Sequence, residues 1–197
     1  MSYHIYTTQA LILSARPLRE ADRIYNILTR ELGLIRATAS GVRKDVSKLK
    51  GNIEPYSFAL VSFVRGKEYW RLTNASLDRS LSYELKDRPE LLKSFAKNFS
   101  LLEKLVAGED RHPEILDDIQ AIADFSLGLN EKDLDVVSIE VLLALRILFN
   151  LGYISNNDVS EEILLGTPTL NILNLVKENK KDIVRAINEG IQSSQLT

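Results

Sequence analysis

The chain of 197 residues contains no cysteine, two histidines, one methionine and one tryptophan. Without cysteine there is no disulfide, no thiol nucleophile and no thiolate metal site, a pattern that suits the cytoplasm. His4 and His112 lie far apart and neither has a ligand-spaced neighbour, so no metal or cofactor is expected. The glycine-rich devices of catalysis are also missing. No Gly-x-Gly-x-x-Gly, no Gly-x-Ser-x-Gly elbow and no phosphate loop occurs, and "RGKEY" has a Gly-Lys pair without the upstream glycine or the following hydroxyl. Nor is there a long apolar run. "VVSIEVLLALRILFNLGY" comes nearest, but Glu140, Arg146 and Asn150 interrupt it, whereas a membrane span needs about 20 nearly uninterrupted apolar residues. It reads as a buried helix. The start, "MSYHIYTTQALILSARPL", lacks the basic region and cleavage site of a secretory leader, so neither a leader nor a membrane segment is expected. Asp117, Asp118 and Asp124 form the best carboxylate cluster, but no matching cluster accompanies them, and they read as a solvated helix face. Nothing argues for an enzyme.

What is present is an asymmetry of charge. Residues 1–80 carry 13 Lys+Arg against 7 Asp+Glu, and residues 81–197 carry 12 against 20, so a net of +6 faces a net of -8. The hydrophobic period changes at the same place. "TTQALILSARPL", "DRIYNILTREL", "LIRATASG", "IEPYSFALVSFVRG" and "EYWRLTNASL" have the composition and alternation of strands. In the third, Ile35, Ala37 and Ala39 share one face, small enough for a crowded barrel interior. Short turns at Gly33 and Gly66 and one long connection after strand three describe an OB-fold, with an SH3-like barrel and an antiparallel sandwich as competitors. Past Leu81 the spacing is helical: Leu91, Phe95, Phe99, Leu102 and Val106 behind Pro89, then Ile115, Ile119 and Ile122 behind Pro113, then the apolar helix and two more. The fold class is therefore α+β, with a β-barrel at 1–80 and an all-α domain at 81–197.

The binding features sit in the first module. "GVRKDVSKLKG" gathers Arg43, Lys44, Lys48 and Lys50 between two glycines expected to let it turn, with Leu49 to tuck it onto the barrel. Arg16, Arg19 and Arg23 surround the first turn, and Arg65, Lys67 and Arg71 the last hairpin. In an OB barrel such loops flank a nucleic-acid groove, so these cations would meet at one mouth, with Arg36 on the outer face of strand three. Bases stack on aromatic rings for about 1–3 kcal/mol each. Phe58, Phe63 and Trp70 read as core, and Tyr69 is retained as a stacking candidate. In the second module Lys93, Lys97 and Lys104 line one side of a helix, either as a soluble face or as a receiver for an acidic peptide.

The order of these residues resembles a known family. An apolar strand precedes Arg16, Glu20, Asp22 and Arg23; Leu28, Thr29 and Gly33 close the next strand; Gly41, Arg43 and Lys44 open the basic loop; Ser47, Leu49, Gly51 and Pro55 follow. This set is similar to the N-terminal domain of the bacterial recombination mediator RecO over roughly residues 7–65, and more weakly beyond. The resemblance implies an OB-fold that binds single- and double-stranded DNA and anneals strands. It also implies work with RecR to load RecA onto DNA coated by single-stranded DNA-binding protein, contact with that protein's acidic tail, and a cytoplasmic, nucleoid-associated location. Many members carry a four-cysteine zinc module where this chain has "ISNNDVSEEILLGTP", which has no cysteine. The alternatives are an adaptor for an acidic partner tail and an RNA-binding OB-fold protein.

Overall fold

A computed structural model describes residues 4–106 and 108–194. Its strands are β1 (Ile5–Pro17), β2 (Arg23–Thr29), β3 (Gly33–Ala39), β4 (Ser57–Arg65) and β5 (Trp70–Ser80). They close a barrel in the order β1-β2-β3-β5-β4. β1 pairs antiparallel with both β2 and β4, and β3 pairs parallel with β5. This is the OB-fold, and it settles the choice against the SH3-like barrel and the sandwich.

The interior follows from the alternation. Across the sheet, Ala15, Tyr25, Ala37 and Trp70 form one inward row, so small residues leave the room that the two large rings fill. Ile12, Ile27, Ile35, Val61 and Phe63 complete a dry core. The long connection after β3 sends Val42 and Ile53 into that core, and Leu49 packs against it, as its position in the loop predicts. The turn between β2 and β3 is fixed by Thr29, whose hydroxyl donates to the Gly33 carbonyl at 2.8 Å and accepts from the Leu32 amide at 3.0 Å.

The helices are α1 (Leu81–Glu84), α2 (Pro89–Leu105), α3 (Pro113–Gly128), α4 (Val136–Asn150), α5 (Glu161–Leu165), α6 (Leu170–Glu178) and α7 (Lys180–Ser193). None of the described helices is long and apolar enough to cross a membrane. The chain divides into two compact units. One comprises the residues up to Glu84 together with Val106–Leu116; the other comprises Leu85–Leu105 and the residues from Asp117 on. The sequence period changes at 80, but α1 and the later connection 106–116 group with the barrel.

In the helical unit α4 is central and touches α2, α5, α6 and α7, as its nearly all-round apolar surface predicts. Asp135 caps it, accepting from the Ser138 amide at 3.1 Å and hydroxyl at 3.0 Å. Burial pushes the Asp135 carboxyl up, but the Ser138 bonds outweigh this and hold it below the usual value. Asp118 of the carboxylate cluster departs from its expected solvated role. Asp118 accepts from Arg146 at 2.9 Å and from the Asn150 amide at 2.7 Å. Arg146 is 2% exposed and also donates to the carbonyls of Ile163 and Gly166. A guanidinium in the middle of an apolar helix demands such partners, and here they lie in the middle of α5, at Ile163, and at its C-cap, Gly166.

Candidate nucleic-acid interface

The β-ladder places cations on the outer face by parity. Arg16 pairs with Ile24, Ile24 with Thr38, and Thr38 with Arg71, so these residues form one outward row across β1, β2, β3 and β5. The next row holds Ser14, Asn26 and Arg36, with the Asn26 amide donating to the Ser14 hydroxyl at 3.2 Å. Arg16, Arg36 and Arg71 are exposed and have no ion pair among the described residues. Because the barrel is closed, three strand spacings of about 4.8 Å lie between β1 and β5 on the side of β2 and β3, and two on the side of β4.

Above this face the first turn and the basic loop are knitted together. The Gly41 amide donates to the Asp22 carboxylate at 2.8 Å, and the Arg43 amide to the Ala21 carbonyl at 3.1 Å. The Arg43 guanidinium donates to the Glu20 carbonyl at 2.9 Å. Gly41 has φ 66°, a left-handed conformation that favours glycine. Gly51 adopts no such conformation and faces open space, so the loop does not need a glycine there. Within the loop Lys50 is paired with Asp45 at 2.7 Å, and this bond holds the Asp45 carboxyl below its usual value. Lys44 and Lys48 are exposed with no ion pair among the described residues, as is Arg19 in the first turn.

Two of the cations expected to bind DNA have partners within the barrel unit. Arg23 shares the inward parity of Tyr25 and donates to its hydroxyl. Burial pushes the Tyr25 phenol up, and Arg23 opposes that. The signal was in the sequence: a strand that puts Tyr25 and Ile27 inside puts Arg23 inside as well. Arg65 likewise has the parity of Phe63. Its guanidinium lies 4.7 Å from the centre of the Trp70 ring and donates to both oxygens of Glu109, at 2.6 and 2.8 Å. The Trp70 indole N–H donates to the same carboxylate at 3.0 Å. Sequence reading missed Glu109, which lies 44 residues from Arg65. The hairpin cations therefore diverge: Arg71 joins the outer face, Arg65 the barrel end, and Lys67 stays exposed in the turn. Tyr69, beside it, is 37% exposed; Phe58, Phe63 and Trp70 are buried.

In the helical unit the lysine stripe is largely compensated. Lys93 lies 3.9 Å from Glu90, and Lys97 pairs with Glu140 of α4 at 3.0 Å; Lys104 is exposed in the last turn of α2. Among the described residues no group of three or more His, Cys, Asp or Glu is placed to hold a metal ion.

Comparison with known proteins agrees with this barrel. Residues 1–81 match the family model described as Recombination protein O N terminal. The barrel belongs to the RecO family. Similar curated proteins include the DNA repair protein RecO of Synechococcus sp. (strain JA-2-3B'a(2-13)), 44% identical over 100 residues, which covers 49% of this chain and 34% of the relative. That of Heliobacterium modesticaldum is 31% identical over 151 residues, 76% of this chain and 52% of the relative. That of Dehalococcoides mccartyi (strain ATCC BAA-2266 / KCTC 15142 / 195) is 40% identical over 77 residues, 39% of this chain and 30% of the relative. The matches thus span about a third to a half of the length of these relatives. Several residues of the RecO-like pattern now have structural duties: Asp22, Gly41 and Arg43 join two loops, and Thr29 and Gly33 set a turn.

Proposed function

We propose that this chain is a non-catalytic DNA-binding protein of recombinational repair, which holds single strands on its barrel and promotes their annealing. The observation that supports it is the outward row of Arg16, Thr38 and Arg71 with Arg36 beside it, bordered by Arg19, Lys44, Lys48 and Lys67. The three arginines sit on the outer side of the sheet, Arg16 and Arg71 in one row, without ion pairs among the described residues. Such an array holds phosphates and does not read bases, because base readout needs hydrogen-bonding groups aimed at base edges. Tyr69 at the hairpin tip supplies a ring for stacking. Arg43, Lys50 and Arg23 act at one remove, as parts of the loop junction, the loop and the barrel mouth.

Family membership carries the rest of the reading: double-stranded DNA as a second ligand, work with a RecR-like protein in loading RecA, engagement of the acidic tail of single-stranded DNA-binding protein, and residence in the cytoplasm near the nucleoid. For the tail, Lys104 is the stripe residue most open to an acidic peptide, since Lys93 and Lys97 have carboxylates beside them. The test is fluorescence anisotropy with labelled DNA, RNA and acidic peptide, followed by strand annealing on DNA coated by single-stranded DNA-binding protein. Salt-dependent DNA binding with accelerated annealing is expected. Binding of the peptide alone would establish the adaptor reading instead, and preference for RNA in competition would establish the RNA-binding one.

A further inference from the structure

The geometry points to a phosphate site at the barrel end, formed by the Arg65 guanidinium and the Trp70 indole N–H and kept closed by the Glu109 carboxylate. This inference rests on the DNA-binding reading and adds a gate to it. Two donors already converge on one anion there: Arg65 Nη1 at 2.6 and 2.8 Å and Trp70 Nε1 at 3.0 Å from the Glu109 oxygens. A phosphate offers the same two-oxygen edge to a guanidinium as a carboxylate does. Glu109 thus occupies the place a phosphate would take.

Three features make the closure reversible. The Arg65 and Glu109 side chains are 61% and 47% exposed, so solvent and a ligand reach the pair. Exposed ion pairs of this kind are weak, so a polyanion can displace one partner. Glu109 belongs to a connection without helix or strand, which also meets the barrel where the Gly108 carbonyl accepts from Leu34 at 3.1 Å. Gly33, with φ 67°, comes so close to the Asp110 carbonyl that a Cβ there would collide with it. The backbone is therefore seated independently, and the Glu109 side chain is free to swing without undocking it. Arg71 follows Trp70 directly and faces outward, so the hairpin links this site to the cationic face.

The test compares E109Q, R65A, the double variant R65A/E109Q and E68Q in the full chain. E68Q removes an exposed charge from the same hairpin and controls for the general loss of repulsion. Binding of labelled oligothymidylate should tighten ~3–10-fold in E109Q beyond E68Q, with a log-log salt slope steeper by about 0.7, one added contact to a single strand. In R65A/E109Q that gain should vanish. Equal gains in E109Q and E68Q, or a gain that persists without Arg65, would overturn the gate. If no variant binds DNA, the DNA-binding reading fails alone, and the gate is judged by pyrophosphate titration read through Trp70, the single tryptophan. A saturable emission change in E109Q that R65A/E109Q lacks supports the site; no change in E109Q refutes it.

Discussion

The outer surface of the barrel and the interior of the helical unit use arginine in opposite ways. On the barrel, Arg16, Arg36 and Arg71 stand exposed on the outer surface without acidic partners among the described residues. In the helical unit Arg146 is 2% exposed and surrounded by a carboxylate and two carbonyls. Arg88 there donates to the carbonyls of Ser126 at 2.8 Å and Leu129 at 2.7 Å, next to the end of α3, and Lys97 crosses to Glu140 of α4. A count of cations could not separate these roles; only the partners do. Cations bonded to the fold hold elements in place, whereas cations left facing water in register are available to a ligand.

The contrast is broken most severely at Arg146. Arg146→Met leaves Asp118 without its buried partner and frees two carbonyls, so the helical unit should lose roughly 3–5 kcal/mol, measured by chemical denaturation. DNA affinity measured under conditions where the variant remains folded should be unchanged. Next comes the face itself. Replacing Arg16, Arg36 and Arg71 together by Ala should leave the denaturation midpoint within experimental error and weaken single-strand binding at least ~10-fold at low salt. Asp135→Ala removes the cap of α4 and should cost about 1 kcal/mol. The Asp135 carboxyl is held below its ordinary value in the folded protein. Its contribution is therefore complete above the ordinary carboxylate range and is lost as pH falls through the folded value; the stability difference between wild type and variant should shrink on acidification. The smallest effect belongs to Lys97→Ala, at most about 0.5 kcal/mol for a pair this exposed, with no change in DNA binding. A clear loss of DNA binding in that variant would blur the distinction between the two units.

The strands and the inward face of β3 were legible because alternation, Gly33 and the small residues Ala37 and Ala39 all point the same way. The central place of α4 was legible from its apolar surface. Arg23 was readable too, since its parity with Tyr25 fixes its direction, but its charge drew attention first. The partners of Arg65 and Arg146 were not legible. Glu109 and Asp118 reach them from 44 and 28 residues away in sequence, and no local pattern marks either as a partner. The same holds for the junction between the first turn and the basic loop, where Asp22 binds the Gly41 amide. That junction changes what the basic loop is: Arg43 and Lys50 help shape it, and Lys44 and Lys48 are the cations it presents.

The central claim is that the outward arginines of the sheet, and not basic residues in general, hold the strand. The measurement that tests it most directly is the salt dependence of single-strand binding for wild type and for the Arg16, Arg36 and Arg71 triple alanine variant. With about -0.7 per phosphate contact on a single strand, the log-log slope should become shallower by about 2. An unchanged slope and affinity in a fully folded variant would contradict the account.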